Sequence, residues 1–438
     1  MTSCVIELND NEIRVGLGGD IILRSPGYAL IDGERIELGE AAAKQARLNP
    51  RAVHNRYWKN LNQDPLQYPS SRARHNADLA FAQLLAIHEK AGKPVEAIFA
   101  VPATYSKEQL ALLLGLVDAS PFKAVGLVDS AVAATSPVAG KGNYVHIDIH
   151  LHQTILTRVN VDDQVRRSSV QIIDGAGMLS IFDATAHLIA DLFIKESRFD
   201  PQHHPETEQA LYDQIPACLN SLLTNSEVAL EIQYHQTQHQ AKLPADLLKN
   251  TLQVQYHKIV SAINPTDFCL LSYQIAQLPG LITLLSDYEV LPALAIFQAC
   301  DTHESSIRST GSALNYVTSL PATSEPLITE IAKPIIAAKI ATAQNKPGIT
   351  HILHEHNAYP LNEDHVYLSA TGVINKGDLN SSHCSIKLNN GNFSLQPEGE
   401  LTVFLNGEQL KQAVQVAAGD IISFVGSNTE YTFIHVSD

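Results

Sequence analysis

Four residues whose side chains bind metal ions alternate along one predicted strand of this chain. The stretch GNYVHIDIHLHQT, residues 142–154, places His146, Asp148, His150 and His152 at every second position. Successive side chains of a strand point to opposite faces, so these four are predicted to share one face. Imidazole and carboxylate groups bind divalent metals, which makes a metal site the first hypothesis for this strand.

Two other histidine groups are weaker candidates for chemistry. HILHEH occupies residues 351–356, and QYHQTQHQ carries His235 and His239 in a pattern that alternates like a β-hairpin. With 19 histidines among 438 residues such near-pairs arise easily, so structural roles are favoured and a metal-dependent hydrolase is the alternative. The sequence has neither a G-x-S-x-G nucleophile elbow nor a Walker-type phosphate loop.

Length, charge and cysteine usage narrow the class of protein. A chain of 438 residues is too long for one ordinary core, which predicts two or three domains. The formal net charge of −16, without any run of basic residues, argues against a nucleic-acid surface. Five scattered cysteines fit reduced thiols. No signal peptide and no stretch of about 20 apolar residues is found, so we expect a cytoplasmic protein without a membrane span.

The elements that must position these residues follow an α/β pattern. Short strands in residues 1–50 precede a helix at 76–90, a buried strand VEAIFAVP, and a helix whose Ser106 and Gln109 form a capping-box pattern. The strand–helix pair AVGLVDSAVAAT and the hairpin YVHIDIHLHQTILTRVNV come next. This alternation predicts an α/β core with a partly parallel sheet. We also expect helices at GEAAAKQARL and PGLITLLSDY and a buried strand at DFCLLS.

The residue pattern of the sequence changes near Glu363. Short alternating strands follow, with Asn-Gly turns at 390–391 and 406–407, which are strong hairpin signals. We therefore predict three segments: an α/β domain at 1–322, a helical connector at 323–362, and an all-β sandwich at 363–438.

The order of landmarks over the first segment resembles the ATPase superfamily of actin and the seventy-kilodalton heat-shock chaperones. ELNDNEIRVGLGGD is similar to the first phosphate loop of actin, and VEAIFAVPATYSKEQLALLLGLVDASPFKAVGLVDSAVAAT follows the chaperone V-P-A-x-Y pattern. CLLSYQIAQLPGLITLL resembles the adenosine-loop segment. The resemblance implies an actin-like (ribonuclease-H-like) fold of two lobes with a nucleotide cleft between them.

The three glycine-bearing nucleotide loops of that superfamily are all altered here. ELNDN stands at Glu7–Asn11 in place of D-x-G-S/T-x, IHLH follows Asp148 in place of L-G-G-G, and SYQ stands at Ser272–Gln274 in place of G-G-S. Glycines let backbone N–H groups approach phosphates, and a carboxylate at Asp10 would repel them. HIDIHLHQT is therefore interpreted as a degenerate phosphate hairpin rather than a metal site.

The acidic positions around magnesium in the superfamily match Glu7, Asp129 and Asp148 in this sequence. The favoured interpretation is that these acids keep inherited structural hydrogen bonds and that no cofactor binds. The alternatives are Mg-ATP held by the same three residues, or a divalent ion held by the acids with the nearby histidines.

The predicted sandwich resembles a forkhead-associated (FHA) domain, which binds phosphothreonine. FSLQPEGELTVFLNGEQLKQAVQVAAGDIISFVG follows the second half of that family, and NSSHCSI matches its S-R-x-H motif with His383 in place. The Ser and Arg of the motif fall on Asn380 and Ser381, and Lys376 is the nearest cation that could bind a phosphate. These four residues are the candidate partner-binding site.

These observations favour a non-catalytic pseudo-ATPase that acts as a scaffold or adaptor for protein partners. One alternative is a chaperone-like switch that binds Mg-ATP in a non-standard way. A further alternative is an actin-like filament protein, whose subunit contacts a single sequence does not reveal.

Overall fold

The computed structural model divides the chain into two compact units, Met1–Ala337 and Ala338–Asp438. In the first unit it describes residues 3–137, 140–309 and 314–322. In the second unit it describes residues 350–354, 357–361, 365–369, 374–375, 384–389, 392–397, 403–405, 408–410, 413–416, 419–424 and 430–434.

The strands of the first unit are, in chain order, β1 Cys4–Glu7, β2 Ile13–Leu17, β3 Asp20–Ser25, β4 Ala29–Asp32, β5 Arg35–Leu38, β6 Val53–His54, β7 Glu96–Val101, β8 Lys123–Asp129, β9 Gly142–Ile149, β10 Gln153–Val161, β11 Gln164–Asp174, β12 Glu227–Tyr234, β13 Thr237–Pro244, β14 Phe268–Leu271, β15 Tyr288–Val290, β16 Tyr316–Val317 and β17 Ser319–Pro321. The helices are α1 Glu40–Ala43, α2 Asn76–Lys90, α3 Lys107–Asp118, α4 Ser130–Thr135, α5 Met178–Ser197, α6 Pro205–Ser221, α7 Ala245–Val260, α8 Tyr273–Ala276, α9 Ala295–Thr302 and α10 Glu304–Ile307, with a 3₁₀ turn at Ile282–Leu284.

Two six-stranded sheets of the first unit share the order of five strands, and the sixth lies at opposite edges: β16 beside β8 in the first and β17 beside β11 in the second. The first sheet runs β3-β2-β1-β7-β8-β16, and the second runs β17-β11-β10-β9-β14-β15. In each, three consecutive strands form an antiparallel meander, and the first of the three also pairs with a parallel strand: β1 with β7, and β9 with β14. The predicted α/β class is confirmed, and the sheets repeat a topology although the sequence shows no repeat.

The two sheets share a hydrophobic core. Ile98 of the first sheet and Leu270 of the second belong to one buried cluster, which also includes Val132 of α4 and Phe297 of α9. Gly16 lies so close to this core that a Cβ atom there would come within 2.2 Å of the Phe297 ring. Burial of these side chains makes helices α4 and α9 part of the packing between the sheets.

Several local predictions for the first unit are confirmed, and two are wrong. Ser106 caps α3 through the capping box with Gln109, QYHQTQHQ lies in the β12–β13 hairpin, and DFCLLS contains β14. The helix expected at GEAAAKQARL is only the four-residue α1, and PGLITLLSDY forms a single 3₁₀ turn and the start of β15. PGLITLLSDY is a short apolar run whose length did not distinguish a helix from a turn.

The second unit consists of two antiparallel sheets. Its strands are β18 His351–His354, β19 Asn357–Pro360, β20 His365–Leu368, β21 Ile374–Asn375, β22 Cys384–Asn389, β23 Asn392–Pro397, β24 Val403–Leu405, β25 Glu408–Gln409, β26 Val414–Gln415, β27 Ile421–Phe424 and β28 Glu430–Ile434. The sheet orders are β19-β18-β28-β27-β24-β25 and β21-β20-β22-β23-β26. One buried cluster contains residues of both, such as Phe433 and Leu395, so the sheets form a sandwich.

Both Asn-Gly hairpin predictions agree with the strand register. Asn389 pairs with Asn392, and Leu405 pairs with Glu408, which leaves two residues between the strands each time. The helical connector expected at 323–362 lies largely outside the described residues, but its last part is not helical: His351–His354 pairs with β28 and so belongs to the sandwich. Within the described parts of the chain, no helix combines the length and apolar character needed to cross a membrane.

Candidate functional site

The candidate site lies where the turn after β1 meets the turn after β9. The side-chain amide of Asn9 donates to the Ile149 carbonyl at 3.0 Å, and the Leu151 N–H donates to Asp10 Oδ1 at 2.8 Å. These two turns are the ones that the sequence assigns to the first and second phosphate loops. The structure therefore brings together, from two different sheets, the segments in which the predicted site residues lie.

His150 lies between two carboxylates in this cleft. Its Nδ1 is 3.3 Å from Asp10 Oδ1, and its Nε2 is 3.4 Å from Asp148 Oδ2. All three side chains are less than 10% exposed. A neutral imidazole carries a proton on only one nitrogen, whereas both nitrogens here face ionised acceptors. The geometry therefore favours a charged imidazolium.

The pKa values of the three groups support this charge state. Burial raises the pKa of Asp148, but the hydrogen bond and charge of His150 outweigh burial and lower it to about 2. Burial opposes a low pKa for Asp10 as well, and His150 again lowers it. For His150 itself, burial lowers the pKa, while the hydrogen bonds to Asp10 and Asp148 raise it to about 10. The three groups thus form a buried acid–imidazolium–acid triad.

A second set of hydrogen bonds joins the triad to helix α8. Asn9 Nδ2 lies 3.1 Å from Asp148 Oδ2 and 2.9 Å from Gln274 Oε1. Gln274 belongs to the segment that resembles the adenosine loop, in the position where the superfamily has small residues. We call Asn9, Asp10, Asp148, His150 and Gln274 the cleft network. It connects, by side-chain contacts, the three segments that resemble nucleotide loops.

Glu7 forms a buried ion pair inside the first sheet. Glu7 and Arg14 face each other across β1 and β2, and Arg14 Nε donates to Glu7 Oε2 at 2.6 Å. Arg14 also donates to the carbonyl of Ala293 at 2.7 Å. Burial raises the pKa of Glu7 to about 7, and the charge of Arg14 only partly offsets this effect. The first predicted magnesium-site carboxylate is therefore occupied by a cation of the chain itself.

Asp129 also has an internal cation. It ends β8 and caps α4, accepting the N–H groups of Ala131 at 3.0 Å and Val132 at 3.2 Å. Arg167 Nη1 donates to its Oδ2 at 2.6 Å, and the Tyr316 hydroxyl donates to the same atom at 3.1 Å. Burial raises the pKa of Asp129 despite these partners. Each of the three predicted acids is thus paired with a positive group from the protein.

The prediction that four alternating residues share one strand face is wrong. Strand β9 ends at Ile149, so only His146 and Asp148 lie in it, and His150 and His152 belong to the following turn. His152 Nε2 contacts the Asn55 carbonyl at 2.9 Å instead of joining the triad. Among the residues that the structure describes, no group of three or more His, Cys, Asp or Glu side chains has the arrangement of a metal site.

The N-terminus of α5 is also closed by the chain. Met178 N–H donates to the His150 carbonyl at 2.9 Å, and Leu179 N–H donates to the Leu151 carbonyl at 3.0 Å. The first N–H groups of a helix have no partner within the helix and commonly bind anions such as phosphate. Here the hairpin itself satisfies two of them, so they cannot also bind a phosphate.

Apolar packing fills the remainder of the cleft. Leu151 belongs to a buried cluster with Tyr28, Leu30 and Ala42, and Leu179 packs against it. A cavity of about 20 Å³ lies beside the triad and is lined in part by Asp10, Trp58, Lys59, Tyr105 and His150. A cavity of this size holds about one water molecule.

Polar contacts also join the outer parts of the cleft. The Arg47 guanidinium lies 2.8 Å from Asp183 Oδ1 and 3.6 Å from the centre of the Tyr212 ring. Lys59 Nζ lies 2.5 Å from Asp174 Oδ1 on another side. Residues 43–59 thus form hydrogen bonds with α5 and α6, in addition to the contacts of the cleft network.

Comparison with protein-family models and curated proteins identifies no match.

Sequence reasoning found Glu7, Asp129, Asp148 and the histidines but missed the cations that pair with them. Arg14 and Arg167 were not candidates, and Asp10 was expected only to repel phosphate. The sequence contains one indication of the first pair: in a hairpin of β1 and β2, Glu7 lies opposite Arg14. The predicted phosphopeptide residues Lys376, Asn380, Ser381 and His383 lie outside the described residues.

Proposed function

We propose that the first unit is a non-catalytic pseudo-ATPase of the actin-like (ribonuclease-H-like) fold and that the protein acts as a scaffold or adaptor for protein partners. The observation that carries this proposal is the pairing of Glu7 with Arg14, of Asp129 with Arg167, and of Asp148 with His150. A carboxylate that is neutralised by a buried cation of the same chain has little remaining attraction for magnesium.

The strand order supports the fold part of the proposal. Two sheets with the orders β3-β2-β1-β7-β8 and β11-β10-β9-β14-β15 correspond to the two related lobes that the resemblance implies. The turns β1–β2 and β9–β10, at equivalent places in the two meanders, face each other. For the second unit, we propose an FHA-like domain, on the basis of its sandwich architecture and its sequence pattern.

The filled cleft supports the loss of nucleotide binding. Backbone N–H groups at α5 already have carbonyl partners, Leu151 packs in a buried apolar cluster, and the cavity beside the triad, of about 20 Å³, is far smaller than a triphosphate needs. Binding of Mg-ATP would require this cluster and the cleft network to separate. A rigid body with a closed cleft would serve to present surfaces to a partner.

Thermal unfolding of the full chain with ATP, ADP and Mg²⁺, alone and combined, tests this proposal. A ligand at one hundred times its Kd stabilises the native state by about 2.7 kcal/mol, which shifts the Tm measurably. We expect no shift at millimolar ligand. An ATP shift that requires Mg²⁺ and is lost in Asp148→Asn would overturn the proposal.

One observation favours the nucleotide-switch alternative. A groove of about 380 Å³ lies between α7 and the segment that resembles the adenosine loop, and Asp246, Lys249, Asn250 and Gln253 line it beside Gly280. Its size falls within the range of small-molecule sites. If a nucleoside binds there, adenosine alone should raise the Tm of the wild-type chain, and Lys249→Ala should abolish that shift. Sedimentation of the same samples tests the filament alternative.

A further inference from the structure

The contacts of the cleft network indicate how the two sheets of the first unit are held together at the cleft. Asp10 follows a strand of the first sheet, while Asp148 belongs to a strand of the second. His150 contacts both, at 3.3 Å and 3.4 Å. Without a positive group between them, two buried carboxylates from different sheets would repel each other in a medium of low dielectric constant.

The geometry requires a charged group with donors on two sides. Asp10 Oδ1 already accepts the Leu151 N–H at 2.8 Å, and Asp148 Oδ2 accepts from Asn9 at 3.1 Å, so each carboxylate acts as an acceptor. An imidazolium presents N–H groups on both sides of one small ring. A neutral imidazole has one N–H and could donate to only one of the acids, and an amide carries no charge to offset theirs.

We propose that the imidazolium of His150 is a permanent internal counter-ion that holds the two sheets together across the cleft without any ligand. The inference rests on the proposed function in one respect: the cleft is taken to contain no nucleotide. It adds a specific device to that function, because His150 then stabilises closure together with the shared apolar core and the Arg167–Asp129 pair.

The chain contains a suitable reporter of this closure. Trp58 is the single tryptophan, only 3% of its surface is exposed, and it lines the same small cavity as Asp10 and His150. If the cleft opens, acrylamide should reach the indole and quench its fluorescence. Hydrogen exchange at residues 8–12 and 149–153 reports the two facing turns independently.

The experiment compares the full-length wild type with His150→Gln, with the triple variant Asp10→Asn/His150→Gln/Asp148→Asn, and with the control His203→Gln, which changes an exposed histidine. At pH 7.5 we expect quenching of Trp58 to rise at least threefold in His150→Gln and to stay unchanged in the control. The triple variant should recover more than half of the protection, since it removes the repulsion between the acids. Wild-type quenching and exchange in His150→Gln, or no recovery in the triple variant, would overturn the inference.

A direct measurement keeps the inference testable if His150→Gln does not fold. In the wild-type chain labelled with ¹⁵N-histidine, we expect the two ring nitrogens of His150 to show the imidazolium shifts at pH 8, assigned by their loss in the triple variant. A neutral tautomer at that pH would contradict the proposal. Binding of Mg-ATP to the wild type would instead overturn the proposed function, and the measured charge of His150 separates the two failures.

Discussion

Arg167 Nη1 lies 2.6 Å from Asp129 Oδ2, so an arginine of β11 neutralises a fully buried carboxylate at the end of β8. The two residues belong to different sheets. Because an internal cation pairs with the carboxylate, the contact gives Asp129 a structural role that requires no metal. The contact also predicts how much the free energy of unfolding falls when the arginine is removed.

Arg167→Met should leave Asp129 buried without its counter-ion. Breaking a buried pair from one side costs about 3–5 kcal/mol, and since the Arg167 side chain is 24% exposed we expect about 2–3 kcal/mol in the free energy of unfolding. Urea denaturation at pH 7 measures this loss. The neighbouring Arg166→Met, which removes an exposed pair with Asp162, should cost less than about 1 kcal/mol. Equal losses in the two variants would contradict the assignment.

Glu7 and Arg14 allow a double-mutant test of the second pair. Glu7→Leu alone should destabilise the chain by about 3–5 kcal/mol, because it leaves the guanidinium buried without an anion. Glu7→Leu/Arg14→Met should recover most of that loss, since an apolar pair of similar volume suits the same core. The more exposed pair of Glu12, in the β1–β2 turn, and Arg24, in β3, is the control, with effects below about 1 kcal/mol. Additive losses at Glu7 and Arg14 would show that the two side chains are not coupled.

Leu151→Ala should weaken the apolar packing of the cleft. The side chain is 2% exposed and contacts a cluster that includes Tyr28 and Leu30, so its truncation should cost about 2–5 kcal/mol. Leu247→Ala on α7, where the leucine is 40% exposed, should cost less than about 1 kcal/mol. Guanidinium denaturation distinguishes these values. A loss below that of Leu247→Ala would mean that Leu151 does not fill the cleft.

The triad predicts a dependence of stability on alkaline pH. The pKa of His150 is raised from its usual 6.5 to about 10, so its contribution is complete below 6.5 and is lost as the pH rises through 10. Between these values stability should fall by up to about 1.4 kcal/mol per pH unit. Unfolding midpoints of the wild type and of His150→Gln from pH 7.5 to 9.5 measure the difference. A slope that is the same in both proteins would exclude His150 as its source.

At acidic pH the stability contributed by the triad changes in the opposite direction, because it falls as the pH decreases. The pKa of Asp148 is lowered from 3.8 to about 2, so its contribution is present above 3.8 and is lost as the pH falls through 2. Glu7 behaves differently, since burial raises its pKa to about 7 and stability decreases as the pH rises from 4.5 to 7. Restricting the His150 measurement to pH 7.5–9.5 separates its slope from both carboxylates.

Local sequence patterns predicted the elements well where the pattern was long or the turn chemistry specific. The capping box at Ser106 and Gln109 and both Asn-Gly hairpins depend on contacts between residues close in the chain. The short stretches at residues 39–48 and 279–288 were predicted as helices and form mostly turns. In such short apolar runs, tertiary packing rather than the local pattern decides the conformation.

The sequence by itself determined the α/β class of the first part and the strand-rich character of the second part. These follow from periodicity and residue type, which act over a few residues. Only the tertiary structure decided that Asp10 and Asp148 share His150, that Glu7 and Asp129 each have an arginine, and that Leu151 is part of a core. Those contacts join residues of different strands and turns, and burial then sets their charges, which the order of residues along the chain does not specify.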